Sequence, residues 1–383
     1  MYIIGKDERL EKVLGIVVEI LKKGKISCNE YLREKDLMQE ALSFLGIREP
    51  SCKEGTETYH LDQLGFFDDI SPSRLRVFSS TEELLYKNWP TPLVLLRSLS
   101  NHNLRVWAKL EFFNPFSMSV KDRIGWSMIT DYLAKYNNRT VLYEATSTNT
   151  GMALTALANI KGLKVKLFLP YTIQKASDII LRIMGAEVQR VQKSLTVEFV
   201  GDVDELAKRE RGIHLNQFEN NSNLKVHLRY TAKELDLQVR EASLKLKGII
   251  GGVGTSGHLS ALSLYFKSKY GDNVKVYGAQ PAPGNVIPGI RRVETGMKWL
   301  HYVKIDKVLD VTSSEAIEQA IRIARSEGLF VGLSSGAVMA TFEKLKKNGA
   351  LQEGDYVLIF PDHGFKYIEQ FATYLEETKR QDG

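Results

Sequence analysis

Apolar positions follow two regimes along the chain. Leu10, Val13, Leu14, Val17, Val18, Ile20 and Leu21 recur three and four residues apart, the spacing of one face of an amphipathic helix. A second helix is expected over Tyr31 to Phe44, followed by a polar, irregular stretch, Arg48-Glu-Pro-Ser-Cys-Lys-Glu-Gly-Thr. Residues 1–85 therefore read as an appended, partly helical extension. From about Val106 the regime changes. Arg139-Thr-Val-Leu-Tyr-Glu, Lys164-Val-Lys-Leu-Phe-Leu-Pro, Ala186-Glu-Val-Gln-Arg-Val, Gly248-Ile-Ile, Lys275-Val-Tyr-Gly and Asp355-Tyr-Val-Leu-Ile-Phe read as strands. Helical stretches fall between them, among them Gly151 to Ala158, Ala176 to Met184 and Leu259 to Phe266. This alternation predicts a parallel α/β architecture. Ligands in such folds sit in the loops beyond the carboxyl ends of the strands.

Length and composition narrow the reading. A chain of 383 residues fits two or three packing units. Its net charge of +6 is spread without a basic tract, which argues against nucleic-acid binding and suits an anionic small-molecule substrate. The two cysteines, Cys28 and Cys52, have no CxxC spacing. Neither a disulfide framework nor a zinc site is expected from them, and such usage fits a reducing cytoplasm. No apolar run reaches the length of a membrane span, and the N-terminus lacks a signal-peptide layout.

Four segments carry candidate chemistry. Asn114-Pro-Phe-Ser-Met-Ser-Val-Lys121-Asp-Arg opens a helix expected to run to Leu133. A lysine in a first helical turn feels the positive end of the helix dipole, which favours the neutral, nucleophilic amine. Glu144-Ala-Thr146-Ser147-Thr148-Asn149-Thr150-Gly151 lies between a strand and a helix. One of those residues would cap the helix; a run of hydroxyls and amides can also bind a carboxylate or phosphate. Gly251-Gly252-Val253-Gly254-Thr255-Ser256-Gly257-His258 again joins strand to helix. It does not match the P-loop, since no Lys follows the last glycine, but its glycines let backbone N–H groups approach a phosphate. Val331-Gly-Leu-Ser334-Ser335-Gly336 precedes a further helix and offers hydroxyls to cap it or to face a heterocycle nitrogen.

Together, in this order, the segments resemble the fold type II pyridoxal phosphate enzymes of the cysteine synthase and cystathionine β-synthase family. The resemblance runs from Trp89-Pro-Thr-Pro-Leu-Val to about Tyr374 and includes His214-Leu-Asn-Gln217-Phe218. It implies two αβα lobes with the cofactor between them. Residues 86–114 and 223–383 would form the large lobe and 115–222 a small mobile one. Lys121 matches the lysine that holds the cofactor as a Schiff base and later acts as general base. Asn149 matches the residue at the cofactor's phenolic oxygen. Gly252, Val253, Gly254, Thr255 and Ser256 match the phosphate loop, and Ser334 the hydroxyl at the ring nitrogen, with Ser335 as fallback. Thr146, Ser147, Thr150, Gln217 and Phe218 match the substrate contacts. Thr148 stands where the family commonly has glycine. A hydroxyl at the ring nitrogen implies a neutral ring and a weak electron sink, suited to loss of a good β-leaving group. No metal is implied, and a cytoplasmic homodimer is the family's usual form.

The substrate is read from Ile287-Pro-Gly-Ile-Arg291-Arg292-Val-Glu-Thr-Gly-Met297. Its first part resembles the B-type cysteine synthases and its longer run the archaeal O-phosphoserine sulfhydrylases. Guanidinium groups match phosphate oxygens bidentately. The resemblance therefore implies L-cysteine from O-phospho-L-serine and sulfide, with O-acetyl-L-serine as a second substrate and Arg291 favoured over Arg292 as the phosphate reader. The alternatives are an O-acetylserine-specific enzyme, cystathionine β-synthase with Cys52 and His60 offered as haem ligands, and an inactive regulatory homologue.

Overall fold

The computed structural model describes residues 7–53, 55–69, 77–136 and 140–381. The strand Gly354–Phe360, buried at every position, lies inside a six-stranded sheet. The sheet order is Lys307–Val311, Lys275–Pro281, Leu246–Gly252, Gly354–Phe360, Leu104–Leu110, Leu93–Leu95. All neighbours are parallel except the last pair. Strands covered on both faces cannot alternate apolar with polar, which is why Tyr356 to Phe360 reads as a continuous apolar run. A second, all-parallel sheet contains Glu187–Val191, Val165–Pro170, Leu142–Ala145 and Ile213–His214. The expected strands are all found with shifted ends. The one expected from Arg139 begins at Leu142, and Arg139 itself lies outside the described residues.

Helices Lys121–Lys135 and Asn149–Lys161 pack on one another beside the second sheet. Gly125 makes this approach possible: a Cβ there would stand 3.1 Å from that of Ala153. The packing brings the first turns of both helices to the same place. No helix among the described residues is long and apolar enough to cross a membrane.

The extension is not a separate globule. Asp7 caps helix Glu8–Lys23 by accepting from the N–H groups of Arg9 and Leu10, and Gly24 ends it at φ 66°. The apolar stripe Leu10, Val13, Leu14, Val17, Ile20 and Leu21 is buried against helix Gly257–Tyr270. Each such side chain contributes about 1.5–3 kcal/mol when fully covered. The expected second helix is two, Cys28–Arg33 and Lys35–Leu45, interrupted at Glu34. Lys233 of helix Lys233–Glu241 donates to Phe66 O at 2.8 Å and to Leu45 O, joining the extension to the body from inside.

One expectation is overturned. Cys28 and Cys52 form a disulfide, with Cα atoms 5.5 Å apart. Spacing could not reveal it, because the contact is made by strand pairing. Lys25–Ser27 and Thr58–His60 form an antiparallel ribbon, and Cys28 N–H donates to Glu57 O at 2.8 Å. That ribbon folds the irregular stretch back over the start of helix Cys28–Arg33. The bond also removes Cys52 as a metal ligand, and the described residues hold no cluster suited to a metal.

The disulfide closes a separation of 24 residues, for which loop entropy gives about 3 kcal/mol. Cys28→Ser with Cys52→Ser should lower the unfolding temperature and leave catalysis intact. Unreduced protein should weigh less than reduced protein by the two hydrogens of the bond. Equal masses would show that the bond does not form in solution.

Candidate active site

The loops that follow the strands of both sheets meet in one cleft. Ser147, Thr148 and Thr150 enter it after Leu142–Ala145, Gln217 and Phe218 after Ile213–His214, and Gly254 and Thr255 after Leu246–Gly252. Lys121 and Arg291 complete the side chains expected there.

Lys121 is the first residue of its helix, and its neighbours hold it in place. The buried Asp122 carboxylate accepts from the N–H groups of Phe116 at 2.7 Å and Ser117 at 2.9 Å and from the Ser117 hydroxyl. This fixes the loop leading into Lys121. Arg123 points the other way, into the interior. Its guanidinium meets Glu111 at 2.6 Å and Glu234 at 2.6 Å and lies 4.4 Å from the Trp89 ring centroid. The Lys121 amine, by contrast, makes no hydrogen bond among the described residues. Burial pushes its pKa down to about 8, opposed by the Asp362 charge and reinforced by that of Lys366.

The hydroxyl-rich loop divides its tasks. Thr150 Oγ1 donates to Gln217 Oε1 at 2.7 Å, and Gln217 Nε2 donates to Ala145 O at 3.0 Å. Behind them the Glu144 carboxyl is buried and pushed up to about 8 by desolvation, so it is largely protonated at neutral pH. Thr146 does not face the cleft; its Oγ1 accepts from Gly151 N–H at 3.1 Å and caps the helix. Thr148 does face it, bonded to Ser177 at 2.7 Å.

The glycine-rich loop leaves little room for side chains. A Cβ on Gly252 would lie 2.6 Å from Ile290, and one on Gly254 would lie 2.5 Å from Gly289 O. Gly252, Gly254, Thr255 and Ser256 line a small cavity that shares Lys121 with the cleft. Val253 departs from the expected set. Its side chain is in the core and its N–H is already paired with Ala279 O at 2.9 Å.

Sequence reasoning missed Asp362, which is 1% exposed and lies just past Gly354–Phe360. Asn149 Nδ2 donates to it at 2.8 Å, Ser334 Oγ at 3.4 Å, and the Tyr367 hydroxyl also donates to it. Two expected cofactor contacts thus converge on one carboxylate. The available signal was its position at the carboxyl end of a parallel strand.

The two arginines part ways. Arg291 Nε donates to Gly254 O at 3.0 Å and one Nη to Thr295 Oγ1 at 2.9 Å, and its guanidinium carbon lies 5.1 Å from the Phe218 ring centroid. Burial pulls its pKa to about 10, opposed by Glu219. Arg292 turns outward to Asp310 and Glu294, each at 2.9 Å, and does not line the cleft.

These residues fit pyridoxal phosphate. Lys121 offers an unengaged amine, Asn149 Oδ1 is buried without a partner, and the glycine positions leave a cradle that a Cβ would fill. Loss of the Arg123 anchor should damage this arrangement. Arg123→Leu leaves Glu111 and Glu234 with only Lys109 for compensation and should cost about 3–5 kcal/mol. A chemical-denaturation midpoint within error of the parent would refute that role.

Residues 84–362 match the family of pyridoxal-phosphate dependent enzymes. The chain is 35% identical over 284 residues to cysteine synthase B of Pseudomonas aeruginosa, spanning 73% of this chain and 93% of that protein. It is 34% identical over 286 residues to cysteine synthase B of Escherichia coli, spanning 73% and 91%. Among solved structures, O-ureido-L-serine synthase aligns with a TM-score of 0.68 at 25% identity, over 77% of this chain and 95% of that chain. A hydrogen sulfide-producing enzyme from Fusobacterium nucleatum aligns with a TM-score of 0.68 at 29% identity, over 76% and 100%. The fold, the cleft and these likenesses together make the chain a member of the pyridoxal-phosphate dependent enzymes of the cysteine synthase family, with pyridoxal phosphate as its cofactor.

Proposed function

We propose that the enzyme makes L-cysteine by β-replacement on O-phospho-L-serine with sulfide, and that it also accepts O-acetyl-L-serine. One observation carries the choice of substrate. Arg291 brings a guanidinium to the cleft wall with no ion-pair partner among the described residues. The guanidinium is partly withdrawn from water and feels only the more distant Glu219 charge, so a phosphate ester would supply a direct partner. The likeness to cysteine synthase B supports the reaction type.

Each residue then has a task. Thr150, Ser147 and Gln217 bind the substrate carboxylate; the Thr150–Gln217 bond presets their spacing. Lys121 holds the cofactor and, once the substrate amine has displaced it, takes the α-proton at Nζ. Pyridoxal phosphate, when bound, supplies an electron sink for the charge left at the α-carbon. Asn149 and Ser334 orient its ring, steadied by Asp362. Arg291 neutralises the departing phosphate, and Phe218 holds the guanidinium plane. Arg292 serves the loop through its ion pairs and is not assigned to the substrate.

Two outcomes are expected. The neutral Lys121 amine is the form that captures the cofactor. Capture by cofactor-free protein should accelerate as pH rises through about 8 and then level off, followed by growth of visible absorbance. A flat rate across that range would remove the amine's titration from the process, and Lys121→Ala should show neither the band nor turnover. The substrate assignment is tested by Arg291→Ala. A charge-assisted contact of about 1.5–3 kcal/mol corresponds to a roughly tenfold to hundredfold loss in kcat/KM for O-phosphoserine. The loss for O-acetylserine should be small, because that ester carries no charge there. Equal losses for both substrates would overturn the phosphoserine assignment.

A further inference from the structure

Lys366 is a second buried amine in the wall of the cleft, and the proposed reaction gives it no task. It stands in the turn Gly364–Tyr367, shortly after the central strand Gly354–Phe360. Its Nζ donates to Ser117 O at 2.6 Å and to Met118 O at 3.5 Å, and lies 4.0 Å from the Asp362 carboxylate. Both carbonyls belong to the loop that leads into Lys121. The Lys366 carbonyl in turn accepts from Gln174 Nε2, at the start of helix Lys175–Ile183.

That loop needs holding. Met118 has φ 46°, in the left-handed region that is unfavourable for a residue with a Cβ. Its neighbours are tied to the segment that follows Gly354–Phe360. Val120 N–H donates to Pro361 O at 2.8 Å, His363 N–H donates to Met118 O at 3.2 Å, and Ser119 pairs with Asp362 as an antiparallel bridge. Lys366 comes from the same segment and adds a charged donor to the two carbonyls on either side of the Ser117–Met118 step. Burying an ammonium is unfavourable unless it is engaged. Here two carbonyls and a nearby carboxylate engage it, so its place is specified rather than incidental.

We propose that Lys366 is a positioning residue for Lys121: its side chain clamps the loop that delivers the reactive amine, and its ammonium stands against that amine as a like charge. The inference rests on reading Lys121 as the amine that captures the cofactor. The groups around the two lysines make Lys366 the cation that matters. Lys121 feels Asp362 and Lys366 from the C-terminal segment. It also faces His227, at the start of the turn His227–Ala232, and His258, in helix Gly257–Tyr270, but burial draws both rings well down and leaves them neutral near pH 7. On the other side, Asp362 and Asp122 favour the charged form of Lys366 against its burial. A like charge nearby favours the neutral amine, which is the nucleophilic form. One side chain thus fixes where the Lys121 amine sits and biases its protonation.

The test reads the amine itself and needs no turnover. Cofactor-free full-length protein is labelled with a trace of acetic anhydride across about pH 6 to 11, and acetylation of Lys121 is followed by peptide mass spectrometry. The parent should show a midpoint near pH 8. In Lys366→Met the midpoint should rise by about half a pH unit or more, which is roughly a threefold loss of labelling at pH 7. Lys366→Arg keeps the charge and should stay with the parent. An unmoved midpoint in Lys366→Met would overturn the proposal, and an equal rise in both variants would overturn the role given to the charge. A parent midpoint at the ordinary lysine value would overturn it without any variant. Should Lys366→Met fail to fold, the comparison is made in a Met118→Gly background, where the left-handed backbone carries no penalty and the clamp is less needed; the midpoint should still rise there. Bound pyridoxal phosphate should protect Lys121 of the parent from the label. Absence of protection would instead refute the reading of Lys121 on which the inference rests.

Discussion

The helix that carries Lys121 into the cleft is held by a buried charge cluster that never reaches the cleft itself. Arg123, Glu111, Glu234 and Lys109 are all fully buried, two positive and two negative. Thr91 closes the set, donating through Oγ1 to Glu111 at 2.7 Å and giving its carbonyl to Lys109 Nζ at 2.7 Å. Burying such charges is strongly unfavourable unless every one is paired and hydrogen-bonded. This cluster meets that requirement only when helix Lys121–Lys135, strand Leu104–Leu110 and helix Lys233–Glu241 take up one relative position. Removing one partner leaves an uncompensated charge, so the position is stiff. Arg123 follows Lys121 by two residues, and that stiffness reaches the amine through less than one turn of helix.

The cleft itself has the opposite electrostatic character. Lys121 and Arg291 are both held below their ordinary pKa values, and desolvation is the first cause in each case. Lys366 lies in the same wall and is also drawn down by burial. Glu144, the nearby carboxylate that would offset them, is pushed toward its neutral acid. The Asp362 carboxyl accepts from Asn149, Ser334 and Tyr367. The result is a pocket short of negative charge, matched to anionic groups. The cofactor's phosphate is one such group; the proposed substrate would bring a carboxylate and a second phosphate.

Much of this was legible along the chain. The parallel strands, the helix starting at Lys121, and the loops carrying Asn149, Thr150, Gly254 and Thr255 all follow from periodicity and turn chemistry. Those signals are local, set within a few residues by side-chain direction and backbone freedom. What local patterns could not show depended on contacts between distant segments. The Cys28–Cys52 bond required the pairing of Lys25–Ser27 with Thr58–His60. Val253 lies in the glycine-rich loop, and its N–H pairs with Ala279 of the neighbouring strand. Asp362 carried no motif of its own and became visible only when three side chains from separate segments met it.

The sequence by itself determined the α/β class, the order of the loops that build the cleft and the cofactor family. These rest on local spacing and on a set of segments whose order survives without coordinates. Only the tertiary structure decided which of two adjacent arginines faces the cleft. Arg291 and Arg292 are chemically equivalent in the chain, and neighbouring residues of an extended loop point to opposite sides. Asp310 and Glu294 take one guanidinium outward, while Gly254 O and the Phe218 ring hold the other inward. That sorting depends on partners 18 to 73 positions away as well as on near neighbours, and no local pattern encodes which partners will be present.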